Sequence, residues 1–315
     1  MSNSDTPDTV ELFKKSLSGR DPKTIKAYSL SLLGFISWLE KQPGGTPFEP
    51  AKIRTTAVDS YLAYLVAKRR SPHTQRLALS ALRRYCNWAV GEGLLPNNPA
   101  RQVPLPSVMQ MAPRELSSEQ RYILKTQVEK ERSPRLSAVF ALGYWTGLRI
   151  SEIAELRLED ITINQRSGYI QVVNSKGGKS RQLDLHNESQ RAISGYLAAN
   201  VRDPDSQYLF TSQRAAWLRQ QERPDHLSTR GVGYLWEKMK ANAPFAFHEQ
   251  IKEITMHDLR HDFAHRARQS GWNLEEIAVY LGHQTKSGTP AIATTVRYTL
   301  PSRKQLKRRL KMLAG

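Results

Sequence analysis

Cysteine is nearly absent from this chain of 315 residues, since Cys86 is the only one. A single cysteine excludes an intrachain disulfide and any metal site built from several cysteines. Apolar residues never run for about 18 or more positions, which argues against a membrane-spanning helix. The opening stretch "MSNSDTPDTV" lacks the basic and apolar regions of a signal peptide. We therefore expect a cytoplasmic protein without a membrane partner.

Acidic residues are scarce relative to basic ones. The chain has 29 Asp and Glu against 47 Lys and Arg, so the formal net charge is 47 − 29 = +18. An excess of this size repels itself unless a polyanion compensates it, and nucleic acid is the leading polyanion here. The length allows about two domains of roughly 150 residues each. These numbers favour a two-domain protein that binds nucleic acid.

Helical patterns fill the first part of the chain. Asp21-Pro22 and Ser71-Pro72 each combine an N-cap residue with a first-turn proline, and apolar residues follow both at helical spacing. Further apolar patterns around Val58 and Leu12 indicate a third helix and a weaker one at the start. We therefore expect residues 1–96 to form an all-helical domain.

The pattern then changes twice. The stretch from Leu94 to Pro113 holds five prolines and no apolar period, so residues 97–113 are predicted to be an interdomain linker. The segment "DITINQRSGYIQVVNSKGGKSRQLDL" alternates apolar and polar residues between two turns, which predicts a three-stranded meander. Helical patterns surround this segment. The sequence thus predicts a mainly α protein with a small antiparallel β-sheet, whose second domain spans residues 114–315.

Three polar side chains could act on a phosphate, although each has an ordinary alternative. Arg149 stands at the start of a helical stretch, where a guanidinium can face an anion, but most arginines are solvated. His257 and Arg260 lie three residues apart, hence on one helix face, which is also typical of a solvated polar face. His257 and His261 have the spacing of a zinc pair, but Asp258 replaces the metalloprotease glutamate and no third ligand is evident. We therefore expect no metal site.

Lys176, His283 and Tyr298 are equally open when each is taken alone. Lys176 lies in a predicted hairpin turn, where a solvated lysine is the ordinary case. His283 follows a Leu-Gly pair, the position of a histidine stabilised by a helix C-terminus. Tyr298 is as compatible with a protein core as with a nucleophile. None of these residues by itself identifies an activity.

Taken together and in order, six residues resemble the signature of the tyrosine recombinase family, also called phage integrases and including the Xer type. Their contexts are "TGLR", "SKGGK", "HDLRH", "LGH" and "TTVRYT", and the residues are Arg149, Lys176, His257, Arg260, His283 and Tyr298. The resemblance implies a two-domain tyrosine recombinase architecture, with a helical SAM-like core-binding domain followed by a mixed α/β catalytic domain. It also implies a site-specific recombinase that cleaves and rejoins DNA strands, for integration and excision or for resolution of cointegrates and dimers.

Elementary chemistry explains why these residue types suit such a reaction. Attack on a phosphodiester builds negative charge on its non-bridging oxygens, which the guanidiniums of Arg149 and Arg260 are suited to stabilise. A phenol with a reference pKa of about 10 is a weak nucleophile at neutral pH, so a neighbouring base or cationic surroundings must help its proton leave. The resemblance implies that Tyr298 is this nucleophile, that His257 helps remove its proton, and that Lys176 protonates the leaving 5′ oxygen.

The resemblance assigns supporting roles to two further residues. His283 is expected to hydrogen-bond the phosphate, and Glu152 in "RISE" to support the site from behind, although an ordinary surface acid at a helix start is the alternative for Glu152. The family's product is a 3′-phosphotyrosyl link with a free 5′ hydroxyl, which retains the bond energy. The sequence contains no Walker loop and no paired-carboxylate metal motif, so we expect no cofactor.

The interval before Tyr298 departs from the family pattern. It spans 298 − 283 = 15 positions from His283, longer than usual, because "TKSGTPAI" intervenes. We expect residues 287–290 to form a loop rather than a helix. The interval leaves open whether Tyr298 serves its own active site or that of a neighbouring subunit. Tyr280 is the nearest alternative nucleophile, but it precedes the "LGH" motif.

Basic residues outside the six indicate how DNA is held. The predicted DNA-binding residues are Lys68, Arg69, Arg70, Arg83, Arg84 and Lys179. Leucines recur on one face of residues 302–313, which predicts a terminal helix. In the family such a helix docks into the next protomer and builds a tetramer on two DNA sites. Packing on its own domain or on phosphate is the alternative for this helix.

Three functions are compatible with these patterns. The first is a site-specific recombinase that acts on a double-stranded DNA site, with or without accessory proteins. The second is a catalytically silent DNA-binding or architectural protein of the same fold, and the third is a topoisomerase-like relaxing enzyme. The helical first domain and the "LGH" context favour recombination. Compact size favours an Xer-like or transposon-borne enzyme over a phage integrase with arm sites.

Overall fold

The computed structural model describes residues 8–105, 115–164, 167–173, 180–285 and 287–299. The chain divides into two compact units, residues 1–110 and 111–315. Among the described residues, no helix is long and apolar enough to cross a membrane. The predicted fold class is confirmed, because the units are mostly helical and one small antiparallel sheet is present.

The first unit is helical where it is described, and its helices begin where the sequence predicts. The Asp21 carboxylate accepts a hydrogen bond from the backbone N–H of Lys23 at 2.8 Å, and the Ser71 hydroxyl accepts one from that of Thr74 at 3.2 Å. Both bonds cap a helix with proline in its first turn. The elements are α1 (Asp8–Ser16), α2 (Pro22–Leu39), a 3₁₀ helix (Pro50–Lys52), α3 (Thr55–Ala67) and α4 (Pro72–Gly91).

Helices α2 and α4 pack together at the centre of this unit. Their apolar faces bury Leu32, Phe35, Leu79 and Leu82, each 0% exposed. Spacing of three and four residues puts these side chains on one face of each helix, as the apolar pattern predicts. The first unit therefore has a hydrophobic core of its own.

Part of the segment predicted as a linker packs on this core. Ala100 and Val103 are 0% and 2% exposed. The half-buried Arg83 donates from Nε to the Ala100 carbonyl at 3.0 Å and from Nη2 to the Arg101 carbonyl at 3.3 Å. Residues 97–103 are thus fastened to the first unit, whereas residues 106–113 of the predicted linker lie outside the described residues.

The second unit surrounds helix α6 with helices and one sheet. Its elements are α5 (Ser118–Lys130), α6 (Pro134–Thr146), α7 (Ile150–Glu155), β1 (Ile161–Ile163), β2 (Gly168–Val173), β3 (Ser180–Asp184), α8 (Asn187–Ala198), α9 (Ala215–Gln220), α10 (Thr229–Ala241), α11 (Phe245–Ile251), α12 (Met256–Gln269), α13 (Leu274–Leu281) and α14 (Ile292–Thr299). Helix α6 is buried on nearly all sides because α8 and α12 pack against it. Such a helix is apolar all round, which explains its weak amphipathic pattern.

The predicted three-stranded meander is confirmed, with strand order β1-β2-β3 and antiparallel pairing. Ile170 pairs with Leu183, and both side chains face the core at 0% and 1% exposure. On the other face of the sheet Tyr169, Gln182 and Asp184 are exposed and Gln171 is half-buried, as period-two alternation predicts. The turn predicted between β2 and β3, with Lys176 and Lys179, lies outside the described residues.

Helix α6 ends at Gly147, which has a left-handed backbone with φ of 63°. A Cβ atom at this position would lie 2.9 Å from Leu281 Cδ2 and 2.9 Å from Phe263 Cδ1. Both the backbone angle and the close packing favour glycine here. Gly147 thereby allows α6 to end in close contact with α12 and α13, two residues before Arg149.

We expect the substitution Gly147→Ala to lower the free energy of unfolding by about 2 kcal/mol, from left-handed strain and crowding combined. Urea unfolding of the two proteins at neutral pH measures this difference. Gly195→Ala is the matched control, because a Cβ there meets nothing within 4 Å inside α8. The control is expected to be neutral or up to about 1 kcal/mol more stable. Equal effects of the two substitutions would contradict the packing argument.

Candidate active site

Two helix C-termini meet in the second unit, and their backbone carbonyl groups face the same point. Helix α6 ends at Gly147, and α13 ends at Gly282, whose φ of 67° is also left-handed. Carbonyl groups at a helix C-terminus carry partial negative charge and seek donors. We call the carbonyls of Gly147 and Leu281 the helix-end socket.

Arg260 fills the helix-end socket from α12. Its side chain is 0% exposed. Nη1 donates to the Gly147 carbonyl at 2.7 Å, and Nη2 donates to the Leu281 carbonyl at 2.5 Å. The carboxylate of Glu152 lies 3.8 Å from Nη1. A buried cation is costly unless hydrogen-bonded and compensated, and these groups meet that need.

Arg149 lies beside this socket at the start of α7 and is more open to solvent. Its backbone N–H and its Nη1 donate to the two oxygens of Glu152, each at 2.8 Å. Nη2 lies 3.4 Å from the Gly282 carbonyl, and the side chain is 34% exposed. Two guanidiniums therefore share one carboxylate and the two helix ends, with one buried and one reaching solvent.

Glu152 is the common partner of three arginines rather than a surface acid. Arg181, on β3, donates from Nη1 and Nη2 to the two carboxylate oxygens at 3.0 Å each. Its Nε also donates to the Tyr280 carbonyl at 2.9 Å. The side chains of Arg181 and Glu152 are 10% and 9% exposed. Arg181 thus ties the sheet both to the arginine cluster and to the end of α13.

The environment of Glu152 acts on its pKa in two opposing ways. Burial raises the pKa, but the hydrogen bonds and charge of Arg181, with the charge of Arg149, outweigh burial and hold it below 4.5. The carboxylate is therefore ionised at neutral pH. Its stabilising contribution is present above the unfolded value of 4.5 and is lost as pH falls through the lower folded value.

His257 lies one turn before Arg260 on α12. Its ring meets that of His261 edge to face, with centroids 4.6 Å apart at 82°. Desolvation, and then the charges of Arg260 and Arg149, lower the pKa of His257 from 6.5. His257 is accordingly a neutral imidazole at pH 7, able to accept a proton.

His283 follows the end of α13 and is 3% exposed. Its Nε2 lies 3.0 Å from Arg260 Nη2, and its Nδ1 lies 3.0 Å from the hydroxyl of Thr295. Burial, and then the charges of Arg260 and Arg149, lower its pKa to about 3. Both ring nitrogens are engaged by protein groups. The hydrogen bond to phosphate expected of His283 would require Nε2 to leave Arg260.

The long interval after His283 is a loop that closes on itself. Thr285 N–H donates to the Thr289 carbonyl at 2.9 Å, and Ala291 N–H donates to the His283 carbonyl at 2.7 Å. The chain therefore enters α14 beside the point where it left His283, despite the added residues. Helix α14 packs on α12 and α13 of the same unit.

Tyr298 belongs to α14, but its side chain lies outside the described set. The alternative nucleophile Tyr280 stacks on Phe263, with centroids 5.1 Å apart and an interplanar angle of 17°. Burial raises the pKa of Tyr280 to about 12. A buried phenol with this pKa is poorly suited to attack, which leaves Tyr298 as the candidate.

The predicted DNA-binding residues divide into three groups. Lys68, Arg69, Arg70 and Arg84 are exposed on the first unit. Arg83 is half-buried, and its guanidinium donates to carbonyl groups of residues 100–103. Lys179 lies outside the described residues. Four of the six residues are thus available to a polyanion.

Comparison with known proteins decides the family. The model of the phage integrase family matches residues 116–302, and that of the phage integrase N-terminal SAM-like domain matches residues 13–94. The chain belongs to the phage integrase family. The protein is thus a tyrosine recombinase, a site-specific enzyme that cleaves and rejoins DNA.

Individual relatives agree with this assignment. The recombinase is 31% identical to tyrosine recombinase XerA of Pyrococcus furiosus, across 92% of this chain and 88% of XerA. It is 26% identical to tyrosine recombinase XerD of Shewanella oneidensis, across 93% of this chain and 90% of XerD. A crystal structure of XerH bound to a palindromic difH substrate has the same fold, with a TM-score of 0.71 and 18% identity across 97% of this chain and 84% of XerH.

The sequence reasoning missed Arg181. Leu183 and Leu185 alternate inward in the predicted strand, so Arg181 occupies an inward position two residues earlier. A charge at an inward strand position needs a buried partner. That requirement could have predicted that Arg181 is buried and paired with an acid such as Glu152.

We expect Arg181→Gln to lower the free energy of unfolding of the recombinase by about 3 kcal/mol at pH 7, because Glu152 loses a buried bidentate partner. Adding Glu152→Gln should deepen the loss, because the buried guanidinium of Arg260 is then left without its carboxylate partner. Urea unfolding of both variants measures these differences. Arg191→Gln is the control, since its ion pair with Glu188 is exposed and worth less than about 1 kcal/mol. Equal losses for Arg181→Gln and the control would contradict the assignment.

Proposed function

We propose that the recombinase cleaves double-stranded DNA at a specific site by forming a 3′-phosphotyrosyl bond through Tyr298. One observation carries the proposal. Arg149 and Arg260 are held together by Glu152 and two helix ends, and α14, which contains Tyr298, packs on the helix that supplies Arg260. Two fixed guanidiniums beside a tyrosine-bearing helix suit an attack on a phosphodiester.

The reaction distributes its charges and protons among these groups. The Tyr298 oxygen attacks phosphorus, the bond from phosphorus to the 5′ oxygen breaks, and the phenolic proton passes to His257. Lys176 supplies a proton to the leaving 5′ oxygen, so a free 5′ hydroxyl results. Arg149 and Arg260 stabilise the negative charge that grows on the non-bridging oxygens. A hydroxyl of a partner strand then attacks the ester and rejoins the DNA.

We further infer that Tyr298 acts in its own active site. The self-closing loop of residues 284–290 returns the chain to His283, and α14 then packs on α12 and α13 of the same chain. This arrangement supports delivery of the nucleophile within one protomer. The added residues thus increase the number of positions between His283 and α14, but the start of α14 still lies next to His283.

The proposal also covers how the domains bind DNA and how the protomers assemble. Residues 1–96 act as the core-binding domain, residues 97–113 as the linker and residues 114–315 as the catalytic domain. Lys68, Arg69, Arg70 and Arg84 contact phosphates, where they supply affinity rather than base specificity. The terminal segment 302–313 docks into a neighbouring protomer, which builds a tetramer on two sites. Similarity to Xer enzymes favours resolution of dimers or cointegrates in the cytoplasm.

We expect wild-type protein incubated with fragmented source DNA in EDTA to form covalent adducts that survive SDS, and Tyr298→Phe to form none. The phenolic oxygen is the atom that bonds to phosphorus, so its removal abolishes the adduct. Recovery and sequencing of protein-linked fragments measures both the adducts and the target site. Tyr280→Phe is the matched control and should retain adducts. Adducts in Tyr298→Phe would identify a different nucleophile.

We expect the acidic decline of the single-turnover cleavage rate to be centred below pH 6.5. The reason is that desolvation and the two arginines keep His257 neutral below the ordinary histidine pKa of 6.5. His261 and His283, with pKa values lowered to about 4 and about 3, do not titrate between pH 5 and 6.5. Rates measured from pH 5 to 8 test this.

The control for the pH profile is His257→Gln. This variant should cut about a hundredfold more slowly and lose the acidic decline, because glutamine does not titrate. A decline centred above pH 6.5 in the wild type, or an unchanged decline in His257→Gln, would contradict the role of His257.

A further inference from the structure

The hydroxyl of Thr295 connects α14 to the phosphate-binding arginine through His283. Thr295 is 0% exposed, and its Oγ1 lies 3.0 Å from His283 Nδ1. The opposite ring nitrogen, Nε2, lies 3.0 Å from Arg260 Nη2. Thr295 and Tyr298 stand 298 − 295 = 3 residues apart on the same helix. A continuous chain of polar contacts thus runs from the tyrosine-bearing helix to Arg260.

Chemistry fixes the direction of each bond in this chain. A guanidinium only donates, so Arg260 donates to His283 Nε2, which must be unprotonated. Burial and the nearby arginines lower the pKa of His283 to about 3, so its neutral ring carries the proton on Nδ1 at pH 7. That N–H donates to Thr295 Oγ1, whose own proton is donated to the Ala291 carbonyl at 3.2 Å. All three donors point in one direction, from Arg260 towards α14.

We propose that Thr295 is a positioning residue that accepts a hydrogen bond from the Nδ1–H of His283, and thereby supports the tautomer whose Nε2 accepts from Arg260 and holds it in the helix-end socket. This inference rests on the proposed role of Arg260 in cleavage. With the other tautomer, an N–H on Nε2 would face the N–H of Arg260, donor against donor, and the guanidinium would lose one of its fixed partners.

Docking of the nucleophile helix and ordering of the phosphate site are therefore one event. Thr295 reaches His283 only when α14 lies on α12 and α13, which is also the arrangement that brings the helix containing Tyr298 to the site. His283 then acts on the phosphate through Arg260 rather than by donating to the phosphate itself. Docking of α14, which carries Tyr298, thus also holds Arg260 in position.

The test compares Thr295→Val, which removes the hydroxyl but keeps the shape, with Thr295→Ser, which keeps the hydroxyl. Thr294→Val is the matched control, because Thr294 is exposed on the same helix. ¹⁵N NMR of histidine-labelled protein reports the His283 tautomer, assigned by comparison with His283→Asn. Single-turnover cleavage at saturating DNA, using the site recovered by covalent capture, reports the chemical step.

We expect Thr295→Val to lose the pure Nδ1–H signal of His283 and to cut about tenfold more slowly, the effect of one buried hydrogen bond. Thr295→Ser and Thr294→Val should match the wild type in both measurements. A slower Thr295→Val with an unchanged tautomer would overturn the relay, since the defect would then be one of packing. A changed tautomer with an unchanged cleavage rate would overturn the link to Arg260. A Thr295→Ser variant with a changed tautomer and slower cleavage would show that the hydroxyl is not the group responsible.

The two readouts separate this inference from the proposed function. The tautomer is measured without DNA, so it tests the contact from Thr295 to His283 even if wild-type protein forms no adduct. Absence of adducts in the wild type would contradict the proposed cleavage alone. An unchanged His283 signal in Thr295→Val would contradict the inference alone.

Discussion

The buried guanidinium of Arg260 is the constraint on which the active site depends. A permanent cation with no exposed surface requires fixed acceptors, and two helix C-termini supply them together with the carboxylate of Glu152. Each helix must end abruptly for its carbonyl to reach the cation, so each ends at a left-handed glycine. Helices α6, α12 and α13 are thereby held at one point, and the neighbouring groups are placed relative to it.

The same requirement organises the rest of the site. Glu152 balances part of the charge of Arg149 and Arg260, and Arg181 in turn balances Glu152, so the cluster keeps a net positive charge for a phosphate. Arg181 also connects β3, the strand that follows the segment containing Lys176, to the end of α13. The sheet and helices α6, α12, α13 and α14 therefore meet around this cluster of charges. Burial keeps the surrounding histidines neutral, which preserves them as acceptors.

Much of the architecture could be read from local patterns. The capped starts at Asp21 and Ser71 confirm predictions that depend on residues adjacent in sequence. The meander was predictable because alternation and turn residues are also local. Arg83 shows the limit of such reasoning, since its hydrogen bonds to carbonyl groups in residues 100–103 could not be predicted from the sequence. Acceptors distant in sequence leave no local pattern.

The sequence by itself determined the fold class and the family, because the order and spacing of motifs can be read directly along the chain. It also identified the residue types that a phosphodiester reaction needs. Only the tertiary structure showed the contacts of Glu152, Arg181 and Thr295, which have partners on other elements. It likewise decided that the added residues after His283 close on themselves, so the interval to α14 is long in sequence but short in space. Pairing of charges and direction of hydrogen bonds are properties of three-dimensional proximity, which sequence spacing does not encode.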